Sequence, residues 1–297
     1  MQLGIGIPHY GIVLDGPALR DAVQSAEALG FDSAWAADHI VLPGDTQLMN
    51  WRYSLECLGV LTYAAAVTTR IKLGSSVLIL PYRNPLVIAK EVATLDVLSG
   101  GRVILGVGVG YVEGEFSALG APYKERGRFT DEALMVIKEL WTSESPAFDG
   151  RYYSFKDMIF SPKPVQKPHP PIWVGGGSRA AMRRACLHGD AWQPFQTSPE
   201  EMEQAAAELR AVAAGVGMRP PALAARVRVA FGGDAGGSRG RSSVVSGTPE
   251  EIAAALRLYE KAGVEHLGIT FRGEDAAVWM KEMERFAKEV MTLLGGI

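Results

Sequence analysis

Three times along this chain a helical segment ends on glycine, an acidic residue follows, and a short apolar run comes next. Gly30-Phe31-Asp32 leads into residues 33–37, Gly263-Val264-Glu265 into 266–271, and more loosely Gly189-Asp190 into 191–193. Glycine just past a helix takes left-handed backbone at no steric cost, and the apolar run behind it suits a buried parallel strand. Short helix-to-strand connections of this kind mark repeated βα units. Apolar strand candidates lie at 3–7, 33–37, 71–80, 103–107, 172–174, 191–193, 223–231 and 266–271, with helical periodicity between them, as at 18–29, 128–141, 199–214 and 249–262. Eight alternating units in 297 residues predict an α/β fold, a (β/α)8 barrel built as one domain over residues 1–297.

Local signals support that reading. Thr248-Pro249-Glu250-Glu251 is a helix start, with Thr as N-cap, Pro at the first helical position and a carboxylate at the third. Residues 146–171 break the alternation before strand five. They hold a hairpin turn at 148–153 and then extended chain around Pro162, Pro164, Pro168, Pro170 and Pro171, so they read as an insertion. Segments 42–51, 111–128 and 232–247 read as loops that would select a substrate, the last of them mobile and the first long enough to act as a lid.

Composition narrows the function classes. A hydrophobic share of 47% fills a core, and a net charge of −3 with scattered lysines and arginines leaves no footprint for nucleic acid or an anionic membrane. No apolar run approaches the roughly 20 residues of a membrane span, and the first residues lack the basic start of a signal segment. The expected setting is cytoplasmic, with a small-molecule substrate. Cys57 and Cys186 read as buried small hydrophobes in helices, and no Cys or His cluster has metal-ligand spacing.

The residues that carry chemistry gather at predicted carboxyl strand ends, where parallel α/β folds place their sites. Gly74-Ser75-Ser76 sits inside an apolar strand, where small residues signal close approach of another group. Gly106, Gly108 and Gly110 alternate along the next strand and strip one face of side chains, which reads as a floor for a flat cofactor at Gly108-Val109-Gly110. Asp38 and His39 end strand two. His39 is the candidate for proton transfer because imidazole titrates near neutrality; otherwise Asp38 caps the next loop and His39 is a half-buried histidine. Gly175-Gly176-Gly177-Ser178 joins a strand to a helix start, where free N–H groups and the helix dipole attract phosphate; the plain alternative is a tight turn with Ser178 as N-cap. Gly175-x-Gly177-x-x-Ala180 also fits a dinucleotide fingerprint, but the acid expected about 20 residues on is missing, which leaves a nicotinamide-dependent dehydrogenase as a weaker option. Glu113 and Glu115 read as acids that solvate a loop or charge a helix start, Arg126 and Arg128 as local salt-bridge partners, and Trp35, Trp173 and Trp192 as core.

Taken together, 29–39, 69–77 with Arg83-Asn84-Pro85, 94–102, Pro171 to Ser178, 189–192 and Gly247 to Glu251 resemble the luciferase-like oxidoreductases. That superfamily contains bacterial luciferase, flavin-dependent monooxygenases and enzymes using the deazaflavin coenzyme F420. The resemblance implies a TIM barrel of the luciferase-like type and a non-prolyl cis peptide at Ser76-Val77 beneath the middle ring of a tricyclic cofactor. It also implies a phosphate site at Gly175 to Ser178, with Asp38 and His39 facing the ring. The expected cofactor set is Asp38, Ser75, Ser76, Val77, Gly108, Val109, Gly110, Gly175, Gly176, Gly177 and Ser178, with His39 catalytic. The Asp-His pair and overall spacing are similar to the F420-dependent branch, which implies hydride exchange with a small organic substrate in a homodimer. FMN with oxygen, as in the monooxygenases, and a non-catalytic flavin-binding relative are the alternatives. A related sugar-phosphate dehydrogenase has glutamate where this chain has Tyr111, so its substrate and its acid do not carry over.

Overall fold

Eight parallel strands close on themselves: β1 (Gln2–Gly6), β2 (Ser33–Ala36), β3 (Lys72–Ser75), β4 (Val103–Gly108), β5 (Ile172–Gly175), β6 (Ala191–Gln193), β7 (Ala222–Phe231) and β8 (His266–Phe271). Each pairs with its neighbour in sequence, and β8 pairs with β1 to complete the barrel. The computed structural model describes residues 1–12, 14–46, 53–194, 197–232, 244–271, 273 and 275–295. Helices run between the strands: α1 (Gly16–Ala28), α2 (Cys57–Val67), α3 (Pro85–Ser99), α4 (Glu113–Leu119), α5 (Arg126–Thr142), α6 (Arg179–His188), α7 (Pro199–Gly215), α8 (Pro249–Lys261) and α9 (Ala276–Arg285). The (β/α)8 expectation is met.

The repeated Gly-acid signature has a concrete use. Asp32 accepts the N–H of Leu3 at 2.7 Å, and Asp190 accepts that of Ile172 at 2.7 Å, so each acid pins the first residues of an adjacent strand. Gly30 and Gly263 take positive φ, as a helix stop requires, whereas the helix before Asp190 ends on Gly189 with an extended φ of −109°. Helix starts follow their sequence cues. Thr248 and Ser198 each form a reciprocal capping box with the glutamate three residues on. In α1 the buried positions Leu19, Ala22, Val23 and Ala26 follow helical spacing and face the sheet.

The lower half of the barrel is plugged. Trp35, Ile104, Trp173, Ala191 and Ala224 form the inner cluster, with the Trp35 and Trp173 rings 4.6 Å apart and His266 set edge-on to both. Trp35 Nε1 donates to Ser33 Oγ at 2.7 Å, and the Ser33 hydroxyl shares a hydrogen bond with His266 Nε2, also 2.7 Å away. Burial, with help from Lys72, pushes the His266 imidazole down to about 3, which keeps it neutral. Gly4 and Gly74 make the space for Trp35, since a Cβ on either would overlap the indole. Trp192 lies instead in the apolar layer between barrel and helices. This cluster fills the barrel floor, and the carboxyl rim lies above it.

The insertion folds back along α5, with its hairpin against the first half of that helix and its proline-rich arm running to the start of β4. Its hairpin pairs Phe148–Asp149 with Ser154–Phe155, and the turn's N–H groups at Arg151, Tyr152 and Tyr153 all reach the buried Glu132 carboxylate. Gln166 ties the proline-rich arm to Asp96 and to the Val103 carbonyl. Segment 111–128 is not a loop: α4 and a 3-10 turn at Tyr123–Glu125 occupy it. After β7, Val244–Gly247 forms an extra strand alongside Arg228 to Phe231. Residues 233–243 of the expected mobile loop, and residues 47–51 of the expected lid, lie outside the described residues. Cys57 and Cys186 are buried and unbridged, and no helix among the described residues is long and apolar enough to cross a membrane.

Because Gly74 seats the indole, Gly74→Ala should destabilise the fold by about 1–3 kcal/mol, read as a lower midpoint in denaturant or heat. Gly215→Ala, with open space around the new methyl at the end of α7, should be neutral or slightly stabilising. Equal stability of Gly74→Ala and the parent would contradict this packing.

Candidate active site at the carboxyl rim

Strand β3 stops at Ser75, the Ser76-Val77 peptide is cis, and the chain resumes as a two-residue strand, Leu78–Ile79, beside Val107 and Gly108. The single strand expected over 71–80 is therefore two short strands around a bulge. Glycines on the neighbouring strands receive this bulge. A Cβ on Gly106 would run into the Ser75 carbonyl, one on Gly108 would meet Val77 Cγ2 at 2.5 Å, and one on Gly175 would meet Val77 Cγ1 at 2.8 Å. Gly110, at φ +75°, has its place taken by Ile79 and Phe116. This corrects the expectation of a bare glycine floor. Gly108 and Gly110 give their empty space to the protein's own side chains, and the surface raised over them is the Ser76-Val77 bulge, with Val109 half-buried at its edge. Ser75 is buried and donates its hydroxyl to the Gly106 carbonyl at 2.7 Å.

Side chains from two distant strands hold the bulge. Ser76 Oγ donates to Gln193 Oε1 at 2.6 Å, and Arg226 Nη1 donates to both the Ser76 carbonyl (2.9 Å) and its Oγ (3.1 Å). Neither Gln193 nor Arg226 stands out in the sequence, because they lie 117 and 150 residues from Ser76 and no local pattern joins them.

Asp38 and His39 part company. The Asp38 side chain has no exposed surface; its two oxygens take Arg83 at 2.7 and 2.8 Å and the Ile79 N–H at 2.9 Å. Its place is beneath the rim, where it clamps the chain that leaves the bulge, as the loop-capping alternative has it. Arg83 continues to Glu56, the N-cap of α2. Burial works against the Arg83 charge, but its two carboxylate partners more than compensate and raise its pKa.

His39 instead meets Glu115. Its Nδ1 donates to Glu115 Oε2 at 2.8 Å, Tyr82 donates to the same oxygen at 2.9 Å, and Oε1 accepts the N–H groups of Ile40 and Val41 at 2.5 and 3.1 Å. Glu115 is fully buried in the first turn of α4, so it is a helix-start acid and not a solvating loop acid; Glu113, in the same turn, is exposed. The sequence carried a weak signal, an acid directly before a large apolar residue, Phe116, that is itself fully buried. Burial pushes the Glu115 carboxyl up, and the bonds from His39, Ile40 and Tyr82 more than reverse it, so it sits below the ordinary carboxylate value. Burial and then Glu115 drive the Tyr82 phenol the other way, far above its usual range. The Glu115 carboxylate accepts from His39 Nδ1, which orients the imidazole and turns Nε2 away from that bond. Tyr111 stands edge-on to His39, ring centres 6.1 Å apart, and Ile40 and Val41 beside it are exposed.

At the end of β5, Gly176 takes φ +110° and the chain turns into α6. Trp192 Nε1 donates to the Gly176 carbonyl at 2.8 Å, and the Gly176 N–H donates to the Gln193 carbonyl at 3.2 Å, which fixes the turn to β6. Ser178 is the N-cap and accepts the Ala181 N–H, while Gly177, Ser178 and Arg179 are exposed. A Cβ on Gly177 would meet nothing within 4 Å. An open helix start with a neighbouring guanidinium suits a phosphate, and capping by Ser178 does not compete with that use. The turn, the bulge and His39 share one rim. Arg126 lies against the Tyr123 ring and donates to its carbonyl, and Arg128 is exposed.

Residues 9–236 match the sequence profile of the family described as luciferase-like monooxygenase. An FMNH2-dependent dimethylsulfone monooxygenase of Pseudomonas putida is 37% identical over 155 residues, 51% of this chain and 42% of that protein. An F420-dependent glucose-6-phosphate dehydrogenase of Kineococcus radiotolerans is 37% identical over 182 residues, 59% of this chain and 51% of that protein. The matches thus span about half the length of these relatives. Among solved structures, the coenzyme F420 dependent tetrahydromethanopterin reductase of Methanopyrus kandleri superposes with a TM-score of 0.79 at 20% identity, covering 99% of each chain, a likeness of fold.

Removing the Glu115 carboxylate strands four donors. Glu115→Ala should therefore cost about 3 kcal/mol of stability near neutral pH, measured by denaturant titration. The folded carboxyl holds its proton less readily than the unfolded one, whose ordinary value is 4.5. Its contribution is thus complete above that value and is lost as pH falls through the lower folded value. The gap between parent and variant should be constant above about pH 5 and narrow below it; a gap that widens in acid would contradict the arrangement.

Proposed function

The chain belongs to the luciferase-like monooxygenase family, and within that family we propose that it is an F420-dependent oxidoreductase that exchanges hydride with a small organic substrate. The observation that carries this reading is the His39–Glu115 pair at the rim beside the Ser76-Val77 bulge. When bound, the deazaflavin ring supplies or accepts a hydride at its C5. An alcohol that gives up a hydride must also release its hydroxyl proton, and a carbonyl that gains one must take a proton up. His39 Nε2 performs that transfer. Glu115 keeps Nδ1 protonated and stabilises the imidazolium that forms, and Tyr82 holds Glu115 in place.

In this reading the residues divide by role. Ser76 and Val77 support the ring face, with Gly108 and Gly175 making room for Val77 and Gly110 making room for Ile79 beside it. Gly176, Gly177 and Ser178 place the α6 start against the cofactor phosphate, and Arg179 adds charge there. Ile40, Val41 and Tyr111 give the substrate side an apolar border that limits water. Val109 lies at the margin of the seat, and Asp38 and Ser75 act behind it by fixing the bulge.

The likeness to the FMNH2-dependent enzyme favours a second reading, reduced FMN with oxygen. Side-by-side fluorescence titration with F420 and FMN separates the two. F420 should bind more tightly and support turnover, and His39→Ala should slow turnover by about 10²–10⁴-fold with cofactor affinity unchanged. Preference for FMN with reductase-dependent oxygen uptake would contradict the proposal, and binding without any turnover would indicate a non-catalytic relative.

A further inference from the structure

Gln193 closes β6, and its side chain is unusually constrained. Ala191, two residues earlier, belongs to the inner barrel cluster, so Gln193 projects to the same interior side, one layer nearer the rim. Its register partner is Gly175, whose Cβ space is filled by Val77, so the amide stands level with the bulge. The residue is 5% exposed. Arg226 donates to Ser76 Oγ, which leaves the Ser76 proton for Gln193 Oε1. That chain of donors sets the amide orientation: oxygen toward Ser76, nitrogen on the other side. Nε2 is buried and has no hydrogen-bond partner among the described residues. Buried amide donors are nearly always paired, and this one is held in place through its oxygen by Ser76, which does not satisfy the nitrogen.

We propose that Gln193 Nε2 donates a hydrogen bond to a carbonyl oxygen on the pyrimidinedione edge of the bound tricycle, a ring-recognising contact separate from the phosphate turn. Only a donor is left over, so the complement is an acceptor. Its attachment to Ser76 puts it within one residue of the peptide that would carry the ring. The inference rests on the reading that a tricyclic redox cofactor binds at this rim, but not on which one, since flavin and deazaflavin share that edge.

The test uses the full chain and three forms: parent, Gln193→Leu and Gln193→Glu. Each is titrated with F420 and with FMN, and the carbonyl stretch of the bound ring is recorded by infrared difference spectroscopy. Gln193→Leu should weaken every cofactor that the parent binds by about tenfold and move a ring carbonyl band to higher wavenumber, and Gln193→Glu should weaken it at least as much. An unchanged affinity and band position, with either a lower melting temperature or a raised KM for substrate, would overturn the proposal by assigning Gln193 to the fold or to the substrate. If the parent prefers FMN, the F420 reading falls while Gln193 is judged on FMN. If the parent binds neither, both fall. Should Gln193→Leu fail to fold, Gln193→Glu carries the same comparison.

Discussion

Side chains missing from one pair of strands are what allow the rest of the rim to exist. Gly106, Gly108 and Gly175 leave empty volume on β4 and β5, and the Ser75 carbonyl and both Val77 methyl groups enter it. Interiors are close-packed, so a methyl added at Gly106 would have to move backbone and one added at Gly108 or Gly175 would have to displace the Val77 side chain. The bulge is in turn held from above by Arg226 and Gln193 and from behind by Asp38 through the Ile79 N–H. Five strands thus converge on one peptide bond. In the proposed reading, a surface fixed this way orients a flat ligand against His39, which follows the neighbouring strand.

The barrel separates stability from chemistry along its axis. Below, the Trp35–Trp173–His266 cluster fills the interior and keeps a neutral, buried imidazole. Above, polar side chains are buried in pairs: Asp38 with Arg83, and Glu115 with His39 and Tyr82. Such groups are costly to bury unless satisfied, and each of these carboxylates is met by at least three donors. His9 and His266 are both lowered by burial and serve the frame, and in the proposed reading His39, poised on a carboxylate, serves the reaction.

Much of this was legible in the residues, for identifiable reasons. Apolar runs and periodicity located all eight strands because a parallel barrel buries both faces of each strand. Thr248-Pro249 and the Gly-acid steps marked boundaries because capping and strand pinning are local. The resemblance pointed to the cis peptide at Ser76-Val77 and to the α6 turn. What escaped was the traffic between distant segments. Glu115 meets His39 across 76 residues from a seven-residue helix whose short span gave no periodic signal. The alternating glycines are plain in the sequence, but a sequence does not say whose atoms will fill an empty face, and here they are the protein's own.

The most direct test is a crystal structure with F420 bound. The account predicts the tricycle in van der Waals contact with Ser76-Val77 on one face, His39 on the substrate side, the phosphate at Gly177 and Ser178, and Val77 still seated over Gly108 and Gly175. A ring lodged elsewhere, or one lying directly on Gly108 with Val77 displaced, would contradict it.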